Sequence, residues 1–170
     1  LSRRAWNLHC RMKANVFIPP TPVRYKADRI TTFLAGSIEM DTADRWQDRV
    51  IVELQDFDID ICNPRRSNWD NTIEQSIKDP RFVEQVEWEL RSLENSDLVL
   101  IYFDPDTKAP ISLLELGLFS KDTEMIVCCP PGFWRKGNVD VVCHRYGVEV
   151  VETFEDFIQL AKHKLVQVSK

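Results

Sequence analysis

Glycine is scarce in this chain, at 5 of 170 residues, and the loops that depend on it are missing: there is no GxxxxGK[ST] phosphate loop, no GxGxxG fingerprint and no GxSxG elbow. Five cysteines (Cys10, Cys62, Cys128, Cys129 and Cys143) form no CxxC pair and no Cys/His cluster at zinc-ligand spacing, which argues against a disulfide scaffold or a structural zinc site. The adjacent Cys128 and Cys129 point to opposite faces of a strand and read as core thiols. The three histidines, His9, His144 and His163, have no nucleophile near them in a recognisable pattern, so a Ser/His or Cys/His triad has no support. Apolar runs such as 98–103 fall far short of a membrane span. What remains, 44% hydrophobic and 29% charged residues, is the composition of one soluble globular domain.

Acid is absent from the first 27 residues, which carry Arg3, Arg4, Arg11, Lys13, Arg24 and Lys26. With the whole chain at −5 and this start at +6, the remainder stands at −11. An acidic body repels a polyphosphate, so a nucleic-acid polymer is a poor partner. A small anionic metabolite is compatible, because one or two placed arginines hold a single phosphate against a net negative field. The basic start reads as an extended arm or a remnant upstream of the domain, given Pro19, Pro20 and Pro22, with an organelle-targeting presequence as the alternative. The expected division is therefore an arm over 1–28 and a domain over 29–170, in an intracellular, cytoplasmic setting.

From Arg29 onward short apolar runs alternate with amphipathic stretches, the pattern of a parallel sheet with helices on its faces. Strands are expected at 30–35, 59–62, 98–103, 125–129 and 148–151. Helices are expected at 44–55, 81–95, 112–120 and 154–165. The 130–138 stretch reads as a loop, and 63–79 is polar, a loop long enough to be functional. The fold class is α/β: an open parallel sheet of five strands, a flavodoxin-like (Rossmann-like) three-layer sandwich with its ligand at the carboxyl ends of the strands.

Glu115 is the only ionisable group in PISLLELGLFS (110–120), with leucines on both sides. Such a carboxylate has a specific partner or a pKa raised by desolvation, both marks of a site. Ser112 and Glu115 also fit the S-x-x-E capping box, and spacing leaves the two readings open. On helix 81–95, Glu89 falls within about 20° of Phe82 and borders the stripe of Phe82, Val83, Val86, Leu90 and Leu93, while Glu84, Glu87 and Glu94 face away. An edge residue with its head in water is the plain alternative for Glu89. Asp97 precedes a strand and reads as a turn residue; Asp104 and Asp106 follow that strand, at the mouth of the sheet. Asn63, Pro64, Arg65 and Arg66 follow the second strand at the same mouth, where adjacent arginines can clamp a phosphate. Trp46, Trp69, Trp88 and Trp134 read as core or rim packing, with stacking on a base as the alternative.

Taken in order, FLAGSIEM (33–40), ADRW (43–46), NPRR (63–66), EQVEWEL (84–90), SDLVLIYFD (96–104), ISLLELG (111–117) and CCPPGFWRKGNVD (128–140) resemble the nucleoside 2-deoxyribosyltransferase-like proteins over about 29–155. The resemblance implies that Glu115, in the E-x-G motif, is a nucleophile, assisted by Glu89 eight residues before the strand aspartate Asp97. It implies attack on C1′ of a 2′-deoxyribosyl group and a covalent glycosyl-enzyme, without metal or organic cofactor. Gly36 and Ser37 would let the backbone approach the sugar or phosphate, and Asn63, Arg65, Arg66, Asp104 and Ser112 complete the expected substrate-binding set. The chain departs from the family pattern twice: the assisting residue is usually Asp, and characterised transferases carry a further Asp six residues before the nucleophile, where this chain has Ala109. The expected partners are a small nucleoside or its 5′-phosphate and, in a homodimer or larger homo-oligomer, copies of the same chain. A binding or sensor domain of the same fold without turnover is the competing expectation.

Overall fold

The computed structural model describes residues 14–38, 43–68 and 70–168. Most of the basic start, His9, Cys10, Trp69 and the end of the FLAGSIEM stretch lie outside the described residues. Eleven elements follow in order among those described: β1 (Asn15–Phe17), β2 (Ile30–Gly36), α1 (Trp46–Leu54), β3 (Ile59–Cys62), α2 (Pro80–Glu94), β4 (Leu98–Tyr102), α3 (Pro110–Phe119), β5 (Met125–Cys128), α4 (Lys136–Tyr146), β6 (Glu149–Val151) and α5 (Phe154–Val168).

The sheet is parallel throughout, in the order β1-β3-β2-β4-β5-β6. Its last five strands have the expected flavodoxin-like order, but the sheet has six strands, not five. The sixth, β1, comes from the segment read as an arm. It pairs Asn15, Val16 and Phe17 with Asp60, Ile61 and Cys62 of β3, and Asn15 Nδ2 donates to Asp60 Oδ1 at 2.8 Å. The same buried carboxylate accepts from Arg29 Nε at 2.6 Å, and Arg29 also pairs with Asp58, so charge is compensated where the strand is added. Nothing in the periodicity of 14–18 announces a three-residue strand; its partner residues do.

Strands buried on both faces favour apolar residues at nearly every position, which is why β4 and β5 read as continuous runs, while β2 and β3 carry the buried Thr31, Thr32 and Asp60 among their apolar residues. Phe33, Val99, Ile101, Val127 and Cys129 pack on one face against Trp88 and Leu93 of α2, Leu116 of α3 and Val139 and Cys143 of α4. Leu34, Ile61, Leu100, Ile126 and Cys128 pack on the other against Trp46, Val50 and Leu54 of α1 and Phe157 and Ala161 of α5. The result is three layers, with α2, α3 and α4 on one side and α1 and α5 on the other. The four described cysteines are free and buried, and burial pushes the Cys62, Cys128 and Cys143 thiols up to about 12.

The stretch expected as a loop to Asn138 becomes helical at Lys136. Helix α4 was not legible because Gly137, Asn138, Val139, Val141 and Val142 are weak helix formers and only Val139 and Cys143, at i and i+4, turn inward.

Gly36 ends β2 at φ +134°, where a Cβ would stand 2.4 Å from the Tyr102 carbonyl oxygen and 2.8 Å from Trp46. Its freedom serves the packing of β2 on β4 and α1. Gly36→Ala is expected to cost about 2–5 kcal/mol, from backbone strain and overpacking together, measured as a lowered denaturant midpoint with unchanged slope.

Candidate active site

Helix α3 begins at Pro110, whose fixed φ suits a first helical position, and its cap is Ala109 in the left-handed region (φ 46°, ψ 50°). No side chain caps this end. The Ser112/Glu115 capping box is therefore not formed: both residues lie inside the helix, buried, and Glu115 is left with its carboxyl in an apolar helix. Burial, reinforced by the charge of Glu89, pushes the Glu115 carboxyl up to about 8.

Helix α2 begins at Pro80 behind Asp79, whose side chain accepts the Arg81 N–H at 3.0 Å. Its inward face is Gln85, Trp88, Ser92 and Leu93, while Phe82, Val83, Val86 and Leu90 are only half-buried, so the expected stripe is rotated towards polar residues. That rotation turns Glu89 towards the protein, where it is half-buried. Burial pushes its carboxyl up to about 7, although Gln85 Nε2 donates to Glu89 Oε1 at 2.6 Å and opposes the shift. Two carboxylates on neighbouring helices are thus both pushed up towards neutrality by desolvation, and the charge of Glu89 adds to the shift of Glu115.

Gln85 escaped the sequence reading. It is buried, donates also to the Pro64 carbonyl (3.3 Å) and accepts from Arg66 Nη1 (3.5 Å), linking the 63–66 mouth to Glu89. Its position four residues before Glu89, on the same helix face, was the available signal.

The two arginines separate. The Arg65 guanidinium is buried and donates to the carbonyls of Asp44 (2.7 Å) and Ala43 (2.8 Å) and to Gln47 Oε1 (3.1 Å), while its backbone N–H donates to Asn63 Oδ1 (3.0 Å). Asn63 and Arg65 therefore hold the loop ahead of α1. Arg66 is the member of the pair directed to the Gln85–Glu89 chain. Arg65→Ala is expected to cost about 2–4 kcal/mol of stability through buried carbonyls left without donors, with 5′-phosphorylated and unphosphorylated ligands weakened alike; Arg66→Ala is expected to weaken only the phosphorylated ligand, by about 1.5–3 kcal/mol. Calorimetric titration of each variant with both ligand forms separates the two roles.

Ser37 and Asp104 also bind each other's loops. Ser37 Oγ accepts the Asp104 N–H at 2.9 Å and shares a 2.7 Å hydrogen bond with Thr107 Oγ1. Asp104 accepts from the backbone N–H of Asp44 (3.1 Å) and of Asp106 (3.0 Å). Asp97 lies at the amino end of β4, opposite the mouth, where its Oδ2 accepts the Thr31 N–H at 2.8 Å. The structure thus brings Glu89 near enough to Glu115 for its charge to act and links Arg66 to Glu89 through Gln85, while Ser37, Asn63, Arg65 and Asp104 tie loops to one another and Asp97 lies at the other end of β4.

A groove of about 320 Å³ opens on the other flank of α3, between Leu113, Leu116 and Gly117 and the Trp134–Val142 region, and neither carboxylate lines it. Among the described residues no three His, Cys, Asp or Glu side chains gather as a metal ion would need, and no helix is long and apolar enough to cross a membrane.

The profile of the family described as nucleoside 2-deoxyribosyltransferase like matches residues 29–133. The chain belongs to that family. The matched stretch runs from Arg29, ahead of β2, to Phe133, ahead of α4, and so contains both carboxylates of this nucleoside 2-deoxyribosyltransferase-like chain and the whole 63–79 loop. No curated protein sequence matches. The crystal structure of a conserved protein from Enterococcus faecalis V583 has the same fold, with a TM-score of 0.58 at 14% identity, over 80% of this chain and 99% of that one. Against the family pattern, Ala109 is instructive: Asp and Asn tolerate the left-handed conformation and cap helices, and this chain places there a residue that does neither well.

Proposed function

We propose that this nucleoside 2-deoxyribosyltransferase-like protein cleaves or transfers the N-glycosidic bond of 2′-deoxynucleosides or their 5′-phosphates. The observation that carries the reading is the pairing of Glu115 with Glu89, both desolvated and both titrating near neutrality. Sharing one proton, the pair supplies a nucleophile and an acid at once. In the reactive arrangement Glu115 is ionised and Glu89 is protonated, a distribution favoured when positive charge grows at C1′ beside Glu115. Glu115 Oε attacks C1′, the C1′–N bond breaks, its electron pair leaves with the base, and Glu89 delivers the proton that neutralises it. The sugar is then held as an ester of Glu115. Water or a second base, deprotonated by Glu89, attacks C1′ and releases Glu115. Arg66, through Gln85, orients Glu89 and stands where a 5′-phosphate meets a cation. No metal or organic cofactor enters the scheme.

A second reading, a nucleotide-binding sensor without turnover, is favoured by Ala109 alone. Incubation with a panel of deoxynucleosides, ribonucleosides and their 5′-phosphates, followed by chromatography for free base and calorimetry for binding, tests both. Base release supports the first; tight binding with no release of base from any member supports the second.

A further inference from the structure

Residues 15–29 form a clip whose two ends meet on one buried carboxylate. Asp60 of β3 accepts from Asn15 Nδ2 at 2.8 Å and from Arg29 Nε at 2.6 Å, both on Oδ1. Arg29 Nη2 also donates to the Ile59 carbonyl (2.8 Å), and the Asn63 N–H donates to the Phe17 carbonyl (2.9 Å). Between these ends the chain crosses the sheet on the side where α2 lies, because Phe17 and Val23 pack against the same apolar cluster as Trp88 and Leu93. There it bonds to α2 at two points. Trp88 Nε1 donates to the Thr21 carbonyl at 2.8 Å, and the Tyr25 hydroxyl shares a 3.1 Å hydrogen bond with Ser92 Oγ. Residues 15–28 precede the stretch that the family profile matches.

Both bonds fall on a helix face that the periodicity of α2 does not favour. Phe82, Val83, Val86 and Leu90 of its apolar stripe are only half-buried, while Gln85, Trp88 and Ser92 are buried. Turning polar groups inward costs desolvation unless each finds a partner. The clip partners two of the three, with a carbonyl for the indole N–H and a hydroxyl for Ser92; Gln85 bonds to Pro64, Arg66 and Glu89. We propose that the 15–29 clip sets the rotation of α2 about its own axis, and that Trp88 is a positioning residue for Glu89, which follows it on the helix. With the clip released, burial of Val83, Val86 and Leu90 favours a turn of α2 that carries Gln85 and Glu89 towards water. What this does for catalysis rests on the acid role given to Glu89 above. The groups that face Glu89 are Gln85 on its own helix, with Arg66 behind it, and Glu115 on α3.

Titration of the Glu89 carboxyl by carbon NMR in the full chain reads the rotation without any substrate. The wild-type midpoint is expected at about 7. Trp88→Phe keeps a ring and removes the donor; it is expected to lower the midpoint by about one pH unit or more, as the carboxyl regains solvent. Asn15→Ala/Tyr25→Phe leaves α2 itself unaltered and acts only through the clip, with an expected fall of about half a unit or more. This double variant decides the matter if Trp88→Phe does not fold. Val50→Ala, which opens a cavity on the opposite face of the sheet, is expected to lower the melting temperature and leave the Glu89 midpoint where it was. A midpoint that falls as far in Val50→Ala means general loosening and overturns the proposal. A midpoint unmoved in the clip variant overturns it too, even if Trp88→Phe shifts, since the effect then belongs to the packing of the indole. So does a wild-type carboxyl at its ordinary value, which no clip is holding out of water. Midpoints that move as expected in a protein that releases no base keep the clip and remove the reaction.

Discussion

Glu115→Gln is expected to fold as the wild type does and to lose base release by a factor of about 10⁴ or more, the scale on which enzymes lose rate when a nucleophile is removed. The substitution keeps volume and removes charge. It leaves the start of α3 intact, because that end is made by Pro110 and Ala109 and not by a Ser112/Glu115 box. A structural role for Glu115 therefore predicts near-normal turnover in the Gln variant, and full activity there refutes the nucleophile. Stability supplies an independent check. Burial holds the Glu115 carboxyl at about 8 in the folded chain, against 4.5 as its ordinary value. The folded state thus keeps a proton that the unfolded state releases, so this contribution is fully present below about pH 4.5 and is lost as pH rises through about 8. The wild type should melt progressively lower than the Gln variant across that window, with the difference levelling off above it. Equal melting temperatures at every pH mean that Glu115 is not buried in the way described.

Glu89→Gln is expected to act on chemistry through the proton. Losing the like charge of Glu89 lowers the Glu115 pKa from about 8, yet leaves it above the ordinary value, because desolvation is the larger cause. The acid that serves the departing base disappears with it. A substrate with a poor leaving group should slow by about 10²–10⁴, while an activated one slows far less. In the pH–rate profile, the acidic limb, set by ionisation of the nucleophile, moves to lower pH, and the alkaline limb, set by loss of the shared proton, vanishes for the activated substrate. Replacing a surface edge residue would change neither limb. Parallel profiles for the two enzymes on both substrates refute the coupling.

Several features of this site were legible beforehand for local reasons. Glu115 stood out because it is the one ionisable side chain in an apolar helix, and Glu89 because helical spacing set it beside a buried stripe. The strands β4 and β5 announced themselves as apolar runs because parallel strands are buried on both faces. Other features were not local. Arg65 looks from sequence like a phosphate ligand, and only the return of the 43–44 backbone to its side shows that carbonyls occupy its donors. Gln85 looks like any helical glutamine until Pro64, Arg66 and Glu89 converge on it. The short strand β1 exists because β3 offers it an edge, with Asp60 shared between Asn15 and Arg29.

By itself, then, the sequence determined the periodicities of most of the domain, hence the parallel sheet with helices on both faces, and the chemical identity of its two unusual carboxylates. Periodicity and composition act over a few residues and survive in the unfolded chain. Tertiary structure alone decided that Glu115 is a desolvated acid and not a cap, that Arg65 holds the loop ahead of α1 while Arg66 reaches Gln85, and that the sheet has a sixth strand. Each of these depends on groups distant in sequence coming into contact, where solvent is excluded and a charge acquires a cost that no local pattern records.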